Sequence, residues 1–257
     1  PAPFTYGREL STQSAILNAQ RDVIDGSHGA HVAGIAAGGG GTLNTTFRGV
    51  APQSDMVFVS TPMTTAAIAD GIQYIMSYAN SVGKPCVINM SIGGHIGPHD
   101  GMSAFDQYSD GMVGAGRLLV GAAANDGANA IYLGKSYSLT DTVMYTCVQF
   151  TGGNPITSGS TTVDIWGNAG QNYWVGVNVF NSNTGQFEDW TPYIAANSNN
   201  SYNYDLYDDD SFFPDLCQVS IATSLYPLNN KRNVQITINH NAQDDSYRWA
   251  MIEIIGF

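Results

Sequence analysis

The segment Val87-Ile88-Asn89-Met90-Ser91-Ile92-Gly93-Gly94 decides the fold class, because it begins as an apolar strand and ends in small and polar residues. Apolar runs of the same kind occur at residues 56–59 and 118–124. Between the first two runs, residues 66–80 carry apolar side chains at helical spacing, and residues 103–111 predict another helix. Strands that alternate with helices and are apolar on both faces predict an α/β fold, with a parallel sheet and helices on both of its sides.

The composition changes near residue 135. The part that follows holds 15 of the 21 asparagines and consists of short alternating segments separated by turns. This pattern predicts an antiparallel β-sandwich-like module. The predicted strands are residues 142–150, 163–166, 173–180, 217–223, 234–238 and 249–255. We therefore predict two domains, an α/β domain at residues 1–135 and a β-rich module at residues 136–257.

Charge and composition exclude several classes of protein. The 257 residues include 9 Lys and Arg against 21 Asp and Glu, a net charge of −12 with neutral histidines. This acidic balance argues against a nucleic-acid partner, since counterion release from the phosphate backbone needs a basic patch. No apolar stretch reaches the roughly 18 residues that a membrane span requires. The low charged fraction of 12% and the many asparagines and tyrosines indicate an extracytoplasmic protein.

The three cysteines match no zinc-binding spacing, so no metal site is predicted from them. Cys86 lies in an apolar run and is expected to be a buried free thiol. Cys147 and Cys217 are either free or paired with each other, and the spacing leaves both alternatives open.

The segment Ser27-His28-Gly29-Ala30-His31-Val32-Ala33-Gly34 contains the strongest functional signal. Two histidines three residues apart could bind a metal ion on one helical face, or one could cap the helix while the other packs in the core. His28 lies before a glycine at the predicted start of a helix, where a side chain can face a cleft.

This segment resembles the active-site histidine motif His-Gly-Thr-His-Val-Ala-Gly of the subtilisin-like serine proteases, the subtilases of peptidase type S8, with Ala30 in place of threonine. Three further blocks follow in the family's order. Gly49-Val50-Ala51-Pro52 resembles Gly-Val-Ala-Pro, residues 87–94 resemble Val-Ile-Asn-Met-Ser-Leu-Gly-Gly, and Ala122-Ala123-Ala124-Asn125-Asp126-Gly127 resembles Ala-Ala-Gly-Asn-Glu-Gly. The resemblance covers roughly residues 20–130 and leaves the β-rich part unmatched.

The resemblance implies the roles of the site residues. His28 matches the general base that activates a serine nucleophile, and Asn125 matches the side-chain donor of the oxyanion hole. Ser91, Ile92 and Gly93 match the segment that pairs with the backbone of a polypeptide substrate. His31 matches a structural histidine and is expected to be packed. This chemistry needs no cofactor. From the composition we expect a secreted or cell-envelope protein, and we expect its source to be a bacterium.

Two residues of the family's catalytic triad have no match in this sequence. The nucleophile motif Gly-Thr-Ser-Met-Ala is absent, and Ser103, the nearest analogue, precedes the Asn125 block and is expected to cap a helix. Asp25 precedes His28 by only three residues and, like Asp22, is expected to be a loop or capping residue. Two hypotheses remain open. The chain is an internal fragment of a longer protease with a β-rich insertion, or it is a non-catalytic binding or adhesion protein on a degenerate protease scaffold.

The β-rich module offers two further candidates for binding. Asp208 to Asp210 could hold a structural calcium ion, although the stretch lacks the spacing of a calcium-binding loop and is expected to be a solvated acidic loop. Trp166, Trp174 and Trp190 either form a platform for a carbohydrate or protein ligand or fill the core of the sandwich.

Overall fold

The computed structural model describes residues 2–19, 26–41, 47–150, 159–207, 215–240 and 248–256. These residues form a mixed helix-and-strand fold that divides into two compact units. Unit 1 comprises Pro1–Gly94 and Ala104–Gly127, and unit 2 comprises His95–Ser103 and Ala128–Phe257. The division after Gly127 lies before the predicted boundary at 135/136, and the segment His95–Ser103 groups with the second unit.

Unit 1 contains the helices that the structure describes and one pair of parallel strands. The elements in chain order are α1 (Gln13–Ala19), α2 (His28–Ala37), α3 (Thr65–Ser81), β1 (Cys86–Met90), α4 (Ala104–Met112) and β2 (Arg117–Gly121). Strand β1 pairs with strand β2 in a register that places Met90 opposite Gly121. Helix α3 begins after Thr64, whose side-chain oxygen accepts a hydrogen bond from the Ala67 backbone N–H.

One face of the parallel pair carries the small core of unit 1. Ile88 of β1 packs with Ile72 and Met76 of α3, and α4 adds the partly buried Phe105, Tyr108 and Met112. Val87, Leu118 and Val120, at the alternate positions of the two strands, are 65%, 57% and 45% exposed. The prediction of helices on both sides of the sheet is therefore supported on one side only in this part of the chain.

The prediction of a strand at residues 56–59 is wrong. These residues adopt no strand geometry, and Met56 and Phe58 are 49% and 67% exposed. An apolar run becomes a strand only when another strand offers its backbone for pairing, and no strand among the described residues does so here.

Backbone hydrogen bonds join the last turn of helix α2 to residues 49–51. The backbone N–H groups of Gly49, Val50 and Ala51 donate to the carbonyls of Gly38, Ile35 and Ala36 at 2.8, 3.0 and 2.9 Å. A Cβ atom on Gly49 would lie 2.4 Å from the backbone nitrogen of Gly38. The absence of a side chain at Gly49 therefore permits this close contact.

Unit 2 consists mainly of two antiparallel sheets. The strands are β3 (Val143–Gln149), β4 (Gly159–Trp166), β5 (Tyr173–Asn181), β6 (Gln186–Trp190), β7 (Ile194–Ala195), β8 (Ser201–Tyr207), β9 (Asp215–Tyr226), β10 (Lys231–His240) and β11 (Arg248–Gly256). One sheet has the strand order β4-β10-β9-β8, and the other has the order β3-β11-β5-β6, with β7 also paired to β5.

Strict alternation on the central strands builds a single core between the two sheets. Val175, Val177 and Val179 of β5 face Val219 and Ile221 of β9 within one buried cluster. Neighbouring strands add Ala250, Ile252 and Ile254 of β11 and Val234, Ile236 and Ile238 of β10. All six strands predicted for this part of the chain are present, whereas β6, β7 and β8 were not predicted.

The three cysteines are free thiols, so Cys147 and Cys217 do not pair. Cys147 is exposed on β3, whereas Cys217 is buried in the core on β9, a strand of the opposite sheet. Burial raises the pKa of the Cys217 thiol to about 12.

Two aspartates hold the segment His95–Ser103 within unit 2. Asp164 of β4 accepts a hydrogen bond from the Gly97 backbone N–H at 2.8 Å and another from the Asn233 side chain at 2.7 Å. Asp100, in the segment itself, forms an ion pair with Lys231 at 2.7 Å. The hydrogen bond from Lys231 lowers the pKa of the Asp100 carboxyl group.

No helix among the described residues is both long enough and apolar enough to cross a membrane.

We predict that Gly49→Ala destabilises unit 1. The new Cβ atom would overlap the backbone of α2, and overpacking of this kind costs about 1–3 kcal/mol of unfolding free energy. Urea unfolding followed by the helical circular-dichroism signal measures this cost, because the described helices lie in unit 1.

Gly34→Ala is the matched control, since a Cβ on this helical glycine meets nothing within 4 Å. We expect it to be neutral or stabilising by roughly 0.5–1 kcal/mol. Equal unfolding midpoints for the two variants would contradict the close-contact role of Gly49.

Candidate active site

The candidate site lies at the carboxyl-terminal edge of the parallel strand pair. Because β1 and β2 run in the same direction, the backbone leaves both strands at this edge. Ser91 follows Met90 at the end of β1, and Ala122 follows Gly121 at the end of β2. The Ala122 backbone N–H still donates to the Met90 carbonyl at 3.2 Å, so the two segments begin side by side. Ligands of open parallel sheets bind at such an edge.

His28 is the first residue of α2, directly after Ser27 at the N-cap position. Its ring nitrogen Nε2 lies 3.1 Å from the backbone carbonyl oxygen of Ser91, 63 residues further along the chain. A carbonyl oxygen can only accept, so Nε2 carries the hydrogen in this contact. The structure therefore brings two of the predicted site residues together.

The segment Ser91-Ile92-Gly93 continues from β1 without joining a sheet. Asn89 donates from its side-chain amide to the Ser91 hydroxyl oxygen at 3.0 Å, which fixes the Ser91 side chain. A Cβ atom on Gly93 would meet nothing within 4 Å, so the space beside this backbone is open.

Asn125 follows the end of β2 by four residues and is exposed. Its side chain forms no hydrogen bond within the described part of the chain. Ala124, directly before it, has a φ of 65°, in the left-handed region that disfavours any residue with a Cβ. The subtilisin-like pattern has glycine at this position.

The remaining motif residues have different positions. His31 lies one turn along α2 and is exposed, so the expectation that it is packed is wrong. The only residue of this helix that is buried is Ala37. Ser103 directly precedes the first residue of α4, which is the N-cap position. Asp22 and Asp25 lie outside the described residues.

No group of three or more His, Cys, Asp or Glu side chains suited to a metal ion occurs among the described residues. The stretch Asp208 to Asp210, predicted as a candidate calcium site, lies outside them.

Sequence reasoning missed the part that Asn89 plays. Asn89 is a polar residue in the middle of an apolar predicted strand. This departure from the apolar pattern was the available signal that its side chain has a specific partner. The contact between His28 and the Ser91 carbonyl carried no sequence signal, because a backbone carbonyl is present at every residue.

The described residues thus place a histidine at a helix start beside the carboxyl-terminal edge of a parallel strand pair, and an asparagine follows the second of these strands. In a comparison with family models, the model of the subtilase family, peptidase S8, matches residues 11–242. The chain belongs to the subtilase family.

Among solved structures, the chain is similar to the CspB protease of Clostridium perfringens. The two share 20% sequence identity and superpose with a TM-score of 0.57 over 96% of this chain. The match covers 50% of the other chain, so this sequence spans about half the length of that protease. At this identity the likeness concerns the fold.

We predict that Ala124→Gly stabilises the protein. Glycine removes the cost of a Cβ in the left-handed region, and the net gain in unfolding free energy is about 1 kcal/mol after the greater freedom of the unfolded chain is included. Chemical denaturation measures this change.

The neighbouring Ala123→Gly provides the control, because Ala123 is not among the residues with positive φ. We expect this substitution to lower stability slightly. A loss of stability in both variants would show that Ala124 is not strained.

Proposed function

We propose that the protein to which this chain belongs is a serine endopeptidase of the subtilisin type, which cleaves polypeptides by acyl transfer from substrate to a serine. The observation that carries the proposal is the placement of His28 against the Ser91 carbonyl, at the strand edge from which the Asn125 segment also departs. Membership in the subtilase family supports the same reaction class.

His28 acts as the general base in this proposal. To take a proton from a serine hydroxyl at Nε2, the neutral ring must carry its hydrogen on Nδ1, the opposite of the form that donates to Ser91. In a catalytic triad the aspartate accepts a hydrogen bond from Nδ1, which favours the form of the ring that carries its hydrogen there. Binding of that acceptor would therefore switch His28 from a donor at Nε2 to a base.

Asn125 and the segment Ser91-Ile92-Gly93 complete the proposed machinery. The exposed amide of Asn125 donates to the oxyanion that forms when serine attacks the peptide carbonyl. The open space beside Gly93 suits a substrate backbone that pairs with this segment as an added strand.

The 257-residue chain by itself is proposed to be inactive. The sequence contains no segment that resembles the nucleophile motif, and the described residues place no aspartate in hydrogen-bonding contact with His28. Secretion from a bacterium, independence of any cofactor and the absence of a nucleic-acid partner belong to this proposal. A structural calcium ion at Asp208 to Asp210 remains a prediction.

A second candidate is a non-catalytic binding or adhesion protein on a protease-derived scaffold, with a carbohydrate or protein ligand on the β-rich module. The half-exposed aromatic side chains of the sandwich, including Trp190 and Tyr193, favour this candidate.

For the full-length protein we predict that Asn125→Ala lowers kcat by about 10²–10³ with little change in KM, because the lost donor acts mainly on the transition state. Hydrolysis of a fluorogenic peptide library measures both constants. Asn18→Ala, which removes an exposed asparagine of α1, is the control and should leave kcat unchanged. Similar kinetics for Asn125→Ala and the parent would remove Asn125 from the oxyanion hole.

For the 257-residue chain we predict no covalent labelling by a fluorophosphonate probe, whereas the full-length protein should be labelled. Mass spectrometry of the two samples checks this. Labelling of any serine in the short chain, Ser103 included, would show that this chain contains a reactive nucleophile and would contradict its proposed inactivity. An unlabelled full-length protein would favour the binding protein over the protease.

A further inference from the structure

The outer face of the five-stranded sheet differs from its core face. On β11, Ala250, Ile252 and Ile254 point into the core, so Met251 and Glu253 lie on the opposite face. The strand register places Glu253 between Tyr145 of β3 and Gly176 of β5. One acidic side chain thus lies in the middle of the outer surface of this sheet.

Two tyrosines hold the Glu253 carboxylate in place. The Tyr145 hydroxyl donates to Oε1 at 3.2 Å and the Tyr193 hydroxyl donates to Oε2 at 2.5 Å. The ring of Tyr193 covers Gly176, where a Cβ atom would lie 2.9 Å from the ring. The hydrogen bond to Glu253 raises the pKa of Tyr193 to about 12, so this phenol remains a neutral donor at physiological pH.

Glu253 and Tyr145 line a groove of about 370 Å³. Its lining consists of Tyr145, Asn178, Phe187, Met251 and Glu253. Tyr145 and Phe187 are each about half exposed. The groove therefore combines two aromatic faces, a flexible thioether, an amide and a carboxylate within one surface depression.

The negative charge of Glu253 is not balanced by a cation among the described residues. Four cationic side chains pair with other carboxylates: Lys84 with Asp55, Lys135 with Asp141, Lys231 with Asp100 and Arg248 with Glu188. Each carboxylate oxygen of Glu253 accepts one phenol hydrogen bond and retains a second lone pair. The carboxylate can therefore accept hydrogen bonds from a ligand without losing those from the tyrosines.

We propose that this groove binds the basic side chain of a lysine or arginine on a partner polypeptide. The cationic head group pairs with Glu253 and lies near the tyrosine rings, an arrangement that combines charge attraction with cation–π interaction. The aliphatic stem of the side chain packs on Met251 and Phe187.

Charge complementarity favours a basic side chain over a neutral sugar. A sugar could stack on the aromatic rings but would leave the carboxylate without a counter-charge. The chain carries a net charge of −12, which also attracts cationic partners. The inference depends on the sandwich alone and is independent of the proposed protease activity, so either can fail without the other.

Methyl NMR of the full 257-residue chain, with ¹³C-labelled methionine methyl groups, tests the proposal. Met251 lines the groove and is assigned with Met251→Leu. The probes are the Nα-acetyl methylamides of lysine and arginine, with the norleucine methylamide as the uncharged analogue and cellobiose as a neutral sugar. We expect the Met251 signal to shift and saturate with both cationic probes and to stay unchanged with the other two.

Glu253→Gln keeps the shape of the side chain and removes its charge, so it should weaken binding of the cationic probes at least about fivefold. Asp205→Asn is the matched control, because it removes one exposed carboxylate from β8 of the other sheet. Phe187→Leu, which removes one aromatic face, should also weaken binding and provides a second variant if Glu253→Gln does not fold.

Three results would overturn the proposal. The Met251 signal could show no saturable shift at tens of millimolar lysine or arginine probe. The norleucine probe could bind as well as the lysine probe, or Asp205→Asn could weaken binding as much as Glu253→Gln does. A shift with cellobiose alone would assign the groove to carbohydrate instead.

Discussion

The parallel pairing of β1 with β2 is the constraint on which the candidate site depends. Because Met90 lies opposite Gly121, the segments that contain Ser91 and Asn125 leave the sheet at the same edge. An antiparallel pairing would send the two segments to opposite ends of the strands. A slip of one residue would turn each side chain of a strand to the other face and separate Ile88 from the α3 side chains that cover it.

The helix that carries His28 is held mainly by backbone contacts. Among its residues only Ala37 is buried, so side-chain burial contributes little to its position. Three backbone hydrogen bonds from Gly49, Val50 and Ala51 attach its last turn to the following segment. The position of His28 thus depends on a glycine 21 residues away, at a point where any side chain would separate the two backbones.

The second unit owes its stability to a different constraint, the alternation of its central strands. Apolar side chains at every second position of β5, β9, β10 and β11, most of them valine or isoleucine, fill one core between two sheets. The alternate positions are then free to carry polar and aromatic groups. On β11 this division yields the buried Ile252 and, one residue further on, Glu253 on the outer face.

Sequence reasoning succeeded where a local period or motif specifies the structure. Helix α3 was predicted within one residue at each end because its apolar positions repeat at helical spacing. The strongly alternating strands were found because their apolar residues recur at every second position. It failed at residues 56–59, where an apolar run has no strand to pair with. It also missed β6 and β8, because the largely exposed Gln186–Trp190 and the mixed Tyr and Asn positions of Ser201–Tyr207 lack a clear apolar face.

The sequence by itself determined the family and the approximate positions of the periodic elements, and it selected His28, Asn125 and the Ser91-Ile92-Gly93 segment as site candidates. Motifs and periodic elements are defined by residues that are close in the sequence, so they can be read from the sequence directly. Only the tertiary structure decided that the Ser91 carbonyl accepts from His28 across 63 residues and that Tyr145 reaches Glu253 across 108. These contacts join residues that are far apart in the sequence. They form only because strand pairing and the packing of each unit bring those residues together.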